Sequence, residues 1–329
     1  MKEYRWATLG CGVIANEFAE AMKKQGRSIY SVANRTYEKG AAFAEKHKIA
    51  KVYKDINELF TDENVDIIYI STPHNTHIPY MLEALKNGKH VLCEKSITLN
   101  SQELTEAVKL AKKNNLILAE AMTIYHMPLY RKLKEIISSG KLGDLQMVQM
   151  NFGSYKEYDM ANRFFSRDLA GGALLDIGVY AISFVRWFMS ETPLEILSQV
   201  KYAPTMVDEQ ASILLMNSKN EMSAISLTLH GKQPKRGTVV FEKGYIEIYE
   251  YPRSTKAIIT YTENNEQETV EAGKTEDALL YEVLDMEKTV SKSSDEMYLD
   301  YTIDVMDIMK KKQKSWNMKY PEEENSEQK

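Results

Sequence analysis

The chain has 329 residues, 43% apolar and 27% charged, with a net charge of −5, the mixture of a soluble globular protein of about two domains. That acidic balance offers no electrostatic grip on phosphate backbones and argues against a nucleic-acid partner. No apolar run approaches the ~18 residues needed to cross a bilayer, and the start, MKEYRWATLGCG, lacks a signal-peptide core, so no membrane partner is expected. Cys11 and Cys93 make no disulfide framework, and no CxxC or HExxH spacing occurs. A cytoplasmic location without a metal site is therefore expected.

The first third alternates strand and helix. YRWATLG (4–10) reads as a strand and 15–25 as a helix stopped by Gly26. SIYSVAN (28–34) is a strand and 37–48 a helix. VDIIYIST (65–72) is a continuous apolar run, as in a strand buried on both faces. A helix over 78–88 closes at Gly88. HVLCE (90–94) is a strand, 101–115 a helix capped by Ser101, and LILAEA (116–121) a strand. Such alternation predicts crossovers around a parallel sheet.

Beyond residue 122 the pattern changes. A helix over 127–140 leads into a strand over 144–153, and a long apolar helix covers 172–189. Strand-like runs follow at 195–203, 209–216, 222–230, 237–241, 245–250 and 256–262, which predicts an antiparallel or mixed sheet. Helices near 276–291 and 296–313 come next. The charged tail over 321–329 is expected to be disordered.

GCGVIA (10–15) lies between the first strand and the first helix and fits G-x-G-x-x-G/A. Gly10 permits the tight turn, and Gly12 lets a pyrophosphate reach the backbone. Val13 and Ile14 open the helix whose free N–H groups favour anions, and Ala15 packs closely on the strand. At the end of the second strand stand Asn34 and Arg35, where a site for NAD usually has an acid. An acid would repel a 2′-phosphate, whereas Arg35 can bond it. NADP is the expected cofactor, with NAD the alternative should Arg35 stack on adenine. The fold class is α/β: a Rossmann dinucleotide-binding domain over 1–121, then an α+β substrate and dimerisation domain over 122–329 with a large open sheet.

Ligands of a doubly wound sheet lie outside the carboxyl ends of its strands. Thr72, Pro73 and His74 stand at one such end, with His77 just beyond, and Glu94 and Lys95 at another. Lys95 can donate to a substrate hydroxyl or carbonyl, and Glu94 can hold Lys95 or the cofactor. The competing reading is a strand-end ion pair facing water, which stabilises little. His77 is equally plausible as a helix-start residue.

GCGVIA, NR, STPHNTH and CEKS, in this order and spacing, resemble the glucose-fructose oxidoreductase / inositol dehydrogenase (Gfo/Idh/MocA) family. AGGALLDIGVYAISFVRWFM (170–189) resembles its second signature, G-G-x-x-x-D-x-G-x-[HY]. GGALLDIGVY and LCEK are most similar to the dihydrodiol and D-xylose dehydrogenase branch. The resemblance implies that Lys95 contacts the nicotinamide ribose and the reacting oxygen. It also implies that Asp176 and Tyr180 fill the two polar places of the second signature, four apart and so on one helix face. Arg163 and His77 are further candidates.

Two departures matter. The family's E-K-P is Glu94-Lys95-Ser96 here, which removes the proline constraint on that turn. EAMTIYHMP (120–128) places Thr123 and Tyr125 where the branch has Trp and Arg. Those positions are expected near the ligands, so the branch's substrate does not carry over.

The implied reaction is hydride transfer between a nicotinamide and a carbinol or carbonyl carbon of a sugar, polyol, inositol or dihydrodiol-like substrate. Unperturbed lysine and tyrosine both titrate near ~10, so either needs help from its surroundings to exchange a proton near neutrality. The competing functions are a non-catalytic dinucleotide-binding regulator and a glycosidase that uses its dinucleotide transiently. The apolar alternation of the second half predicts a homodimer through the open sheet face.

Overall fold

The computed structural model describes residues 3–326. The chain divides into two compact units. One comprises the residues up to Met122 together with Glu276–Leu299; the other comprises Thr123–Thr275 and the residues from Asp300 on.

The first unit is built on β1 (Trp6–Leu9), β2 (Ser31–Ala33), β3 (Lys51–Val52), β4 (Ile67–Ile70), β5 (His90–Glu94) and β6 (Leu118–Ala121). They form one sheet of order β3-β2-β1-β4-β5-β6, parallel throughout. The order reverses at β1, whose neighbours are β2 and β4, and this creates the crevice where a dinucleotide binds. β4 and β5 are apolar runs because both sheet faces are covered: all four residues of β4 are buried, as are Val91–Glu94. β3 and the helix Ile56–Thr61 are too short to leave a readable periodicity. The helix Ser101–Lys113 is capped by Asn100, not Ser101. The Asn100 side chain accepts from Glu103 N at 3.0 Å, and Glu103 Oε2 accepts from Leu99 N at 3.0 Å. This reciprocal pair satisfies two backbone donors at once.

The helix Ala278–Val290 was expected in the second domain but belongs to the first unit. Leu279, Leu280, Val283 and Met286 join Trp6, Phe18 and Tyr69 in one buried core, and Glu287 accepts from the Trp6 indole at 3.0 Å. An apolar helix face docks where a core is incomplete, whatever its place along the chain.

The second unit carries β7 (Leu145–Gly153), β8 (Glu195–Tyr202), β9 (Asp208–Met216), β10 (Met222–Thr228), β11 (Gln233–Phe241), β12 (Gly244–Tyr249), β13 (Lys256–Tyr261) and β14 (Gln267–Glu271). Their order is β14-β13-β12-β11-β7-β10-β9-β8. Every pairing is antiparallel except β7 with β10, so the sheet is mixed as expected. β14, mostly polar and at the sheet edge, escaped the sequence reading.

One apolar segment is longer than the sequence reading allowed. Arg167–Phe188 is long and apolar enough to cross a membrane by composition alone, yet 78% of its apolar window is buried inside the unit. Its rings explain the apolarity: Phe184 packs against Tyr251 at 5.3 Å and Tyr130 at 6.0 Å, so this is a core helix. The tail also departs from expectation. Pro321–Ser326 is helical, with Lys310 paired to Glu323 at 2.6 Å and Arg167 paired to Glu324. Residues 327–329 lie outside the described residues.

Candidate active site

In the first unit, the β1 turn has the shape the motif requires. Gly10 adopts φ +107° and its N–H donates to Ala33 O at 2.9 Å. A Cβ there would meet Ser71 Oγ at 2.8 Å and Ser71 O at 2.9 Å, so only glycine fits. A Cβ at Gly12 would meet nothing within 4 Å. The backbone at the start of the helix Val13–Lys24 thus borders open space, with no acid in the first turn and Val13 80% exposed. Ile14 is half-buried and Ala15 fully buried against the core. This is a fit for a pyrophosphate: unpaired helix N–H groups, room for backbone approach and no opposing carboxylate. At the end of β2, Asn34 donates to Thr36 O at 2.9 Å and shapes the turn, leaving Arg35 exposed.

The end of β5 explains why a charged pair follows an apolar strand. From Val91 to Asn100 every residue is buried except Lys95. Glu94 is not a surface partner. Its carboxylate accepts from the Tyr69 hydroxyl and, at 3.2 Å, from Lys95 N. Glu120 accepts from Ile97 N at 3.0 Å. The Lys95–Ser96 peptide is cis. His74 Nε2 lies 3.1 Å from Lys95 O, and Thr76 Oγ1 donates to Thr72 Oγ1 at 2.8 Å. Pro73 is exposed, while Thr72 and His74 are half-buried. His77, expected at the cofactor, is wholly buried beneath this turn with both ring nitrogens against carbonyl oxygens. Burial, with Glu94 and Glu120 nearby, pushes the Cys93 thiol well up, so it stays protonated and unreactive.

Sequence reading missed Tyr69 and Glu120 as supports of this turn. A signal existed for Glu120, a lone carboxylate inside the apolar run LILAEA. None existed for Tyr69, whose ring also stacks on Phe18 at 4.0 Å like any core tyrosine.

In the second unit, Asp176 lies in a π-helical turn, Leu174–Gly178, which runs directly into the α-helix Val179–Phe188 bearing Tyr180. From Gly171 to Trp187 every residue is buried except Asp176 and Tyr180. The π turn is wider than an α turn and is a common feature of functional sites. Arg163, 63% exposed, reaches Asp176 at 3.9 Å, and the Tyr180 ring lies 6.2 Å from that of Phe152. Arg163 is thus a neighbour of Asp176.

The start of this segment is anchored from below. Asp208 is fully buried and accepts from Leu174 N at 2.6 Å, and the Tyr320 hydroxyl donates to Gly171 O at 2.7 Å. Burial pushes the Asp208 carboxyl up to about 7. Thr123 and Tyr125, expected near the ligands, are buried; Tyr125 stacks on Trp187 at 5.7 Å within the core of this unit.

Residues 4–122 match the family model of the GFO/IDH/MocA oxidoreductases, described as an NAD-binding Rossmann fold, and residues 130–247 match the C-terminal domain of the same family. The chain is 32% identical over 248 residues to the trans-1,2-dihydrobenzene-1,2-diol dehydrogenase of Xenopus tropicalis, covering 74% of each chain. It is 31% identical over 261 residues to the Mus musculus enzyme of that name, covering 78% of this chain and 77% of the other. Among solved structures, a levoglucosan dehydrogenase in complex with NADH superposes with a TM-score of 0.86 at 15% identity, covering 96% of this chain and 98% of that one. A 3-ketoreductase from Actinomadura kijaniata, in complex with NADP and TDP-benzene, superposes with a TM-score of 0.83 at 19% identity, covering 94% and 96%. At these identities the superpositions establish the fold.

Proposed function

The chain belongs to the Gfo/Idh/MocA oxidoreductase family, and from that premise we propose an NADP-preferring dehydrogenase or reductase of a sugar, polyol or cyclic diol. The bound nicotinamide supplies the hydride chemistry. Gly10, Gly12 and the helix start hold the pyrophosphate, and Arg35 holds the 2′-phosphate. Lys95 donates to the reacting oxygen, Tyr180 exchanges its proton, and Asp176 orients a substrate hydroxyl. The observation that carries this reading is the pattern of exposure. In two otherwise buried stretches, 91–100 and 171–187, the side chains left accessible are Lys95, Asp176 and Tyr180.

The relatives named trans-1,2-dihydrobenzene-1,2-diol dehydrogenases support a cyclic diol among these substrate classes. The test is a panel of aldoses, polyols, inositols and trans-dihydrodiols, each with NADP and NAD, followed by nicotinamide absorbance. Turnover of one class sustains the reading. Bound cofactor without net redox change on any class would instead favour the regulator or the glycosidase.

The active form is a homodimer through the open face of the second sheet. Leu197 and Leu214 are register partners there, 67% and 46% exposed, and Met222, 40% exposed, continues the strip. Apolar exposure of this kind marks an association surface. A monomer mass in light scattering at micromolar concentration would refute it. The free thiols of Cys11 and Cys93 suit a reducing, cytoplasmic setting.

A further inference from the structure

His77 is the first residue of the helix His77–Lys86 and is fully buried. Its Nε2 lies 2.8 Å from Thr72 O; its Nδ1 lies 3.0 Å from Ser96 O and 3.3 Å from Ile97 O. Carbonyl oxygens only accept, so each contact requires an N–H on the ring. A neutral imidazole has one such group and an imidazolium has two. The acceptors belong to different turns, Thr72 after β4 and Ser96–Ile97 after β5. The pairing of these strands ends at Ile70 and Cys93, before either turn begins. His77 therefore spans the two turns beyond the reach of the sheet ladder.

We propose that His77 is a positioning residue that ties the Thr72 turn to the turn carrying Lys95 and so fixes where the Lys95 side chain starts. This rests on the reading of Lys95 as the donor to the reacting oxygen. The titratable groups around the ring are Lys95 and His74, whose ring is 5.7 Å away, with Glu120 bonded to Ile97 N and the Cys93 thiol 3.9 Å from Ile97 O. Burial and the Lys95 ammonium hold the His77 pKa below its ordinary value, against the pull of the three carbonyls. A neutral ring thus donates to one turn, and acid completes the tie to both.

Three variants and one spectrum test this. His77→Phe keeps a ring and removes both donors. His77→Asn places an amide where Nδ1 lies, and His77→Gln places one where Nε2 lies. In His77→Phe, kcat should fall by roughly 10–10²-fold, the scale of a small misplacement of a reacting group, while NADP Kd stays within about twofold and the purified variant remains folded. Asn and Gln should each restore part of kcat. Nitrogen NMR of the parent imidazole should show one exchange-protected ring N–H at neutral pH and a second on acidification.

The proposal is overturned if all three variants merely lower Tm while the folded fraction turns over at the parent rate. It is equally overturned if no ring N–H is protected at any pH. A parent protein with a protected N–H but no turnover of any substrate would overturn the dehydrogenase reading and leave the tie between the turns standing.

Discussion

The Lys95 turn of the first unit and the Asp176–Tyr180 segment of the second solve one problem in two ways. Each keeps a polar side chain accessible inside a buried stretch. The Lys95 turn is irregular backbone, held by side chains from other elements: Glu94 and Tyr69, Glu120, His74 and His77. Asp176 sits in a π turn and Tyr180 on the α-helix that continues it, where backbone hydrogen bonds and aromatic packing fix direction, and only the start needs the polar anchors Asp208 and Tyr320. A turn without a ladder must recruit side chains to satisfy its peptide groups, whereas a helix satisfies its own. Polar substitutions beneath the site should therefore disturb the first region more than the second.

Replacement of the groups proposed to react gives the largest expected effects. Lys95→Ala should lower single-turnover hydride transfer by several orders of magnitude while NADP binding, measured by fluorescence titration, survives. If Lys95 were only an exposed ion-pair partner, the change would cost at most about 1 kcal/mol of stability and leave turnover intact. Tyr180→Phe keeps the ring beside Phe152 and removes one hydroxyl. A loss of roughly 10²–10⁴ in rate is expected of a general acid or base; a few-fold loss would assign the proton to Lys95 alone.

A third substitution tests the cofactor end of the first unit. Arg35→Asp should reverse the cofactor preference, since a charge-assisted bond to the 2′-phosphate of about 1.5–3 kcal/mol becomes a repulsion. Equal NADP and NAD dissociation constants in the parent would remove Arg35 from that role.

A last test concerns the anchor of the second region. The Asp208 carboxyl titrates at 3.8 ordinarily and at about 7 in the fold. Between those values the folded protein keeps a proton that the unfolded chain has lost, so stability falls as pH rises through this window and levels off above it. Asp208→Asn should flatten that slope in urea midpoints measured across the window. An unchanged slope would mean that the dependence arises elsewhere.

Much of the fold was written locally. Alternating strand and helix, Gly10 and Gly12, the apolar runs of β4 and β5 and the long helix of the second unit all follow from periodicity, turn chemistry and burial, which act over a few residues. The candidate residues Lys95, Asp176 and Tyr180 could be named from sequence because their spacing resembles a family's signatures. By residue type alone, Lys95 could equally have been half of a surface ion pair, and Tyr180 would have read first as a core tyrosine.

What sequence could not supply were relations between distant residues. Glu287 meeting Trp6, Glu120 accepting from Ile97, His77 reaching both Thr72 and Ser96, and Asp208 beneath Leu174 each join segments that periodicity treats separately. The return of 276–299 to the first unit has the same origin. An apolar helix face carries no record of which core it will complete, and a buried polar group finds its partner only after the chain has folded. Local patterning therefore determined the elements and the candidate chemistry, while tertiary packing decided which candidate side chains stay accessible and which polar groups are buried beneath them.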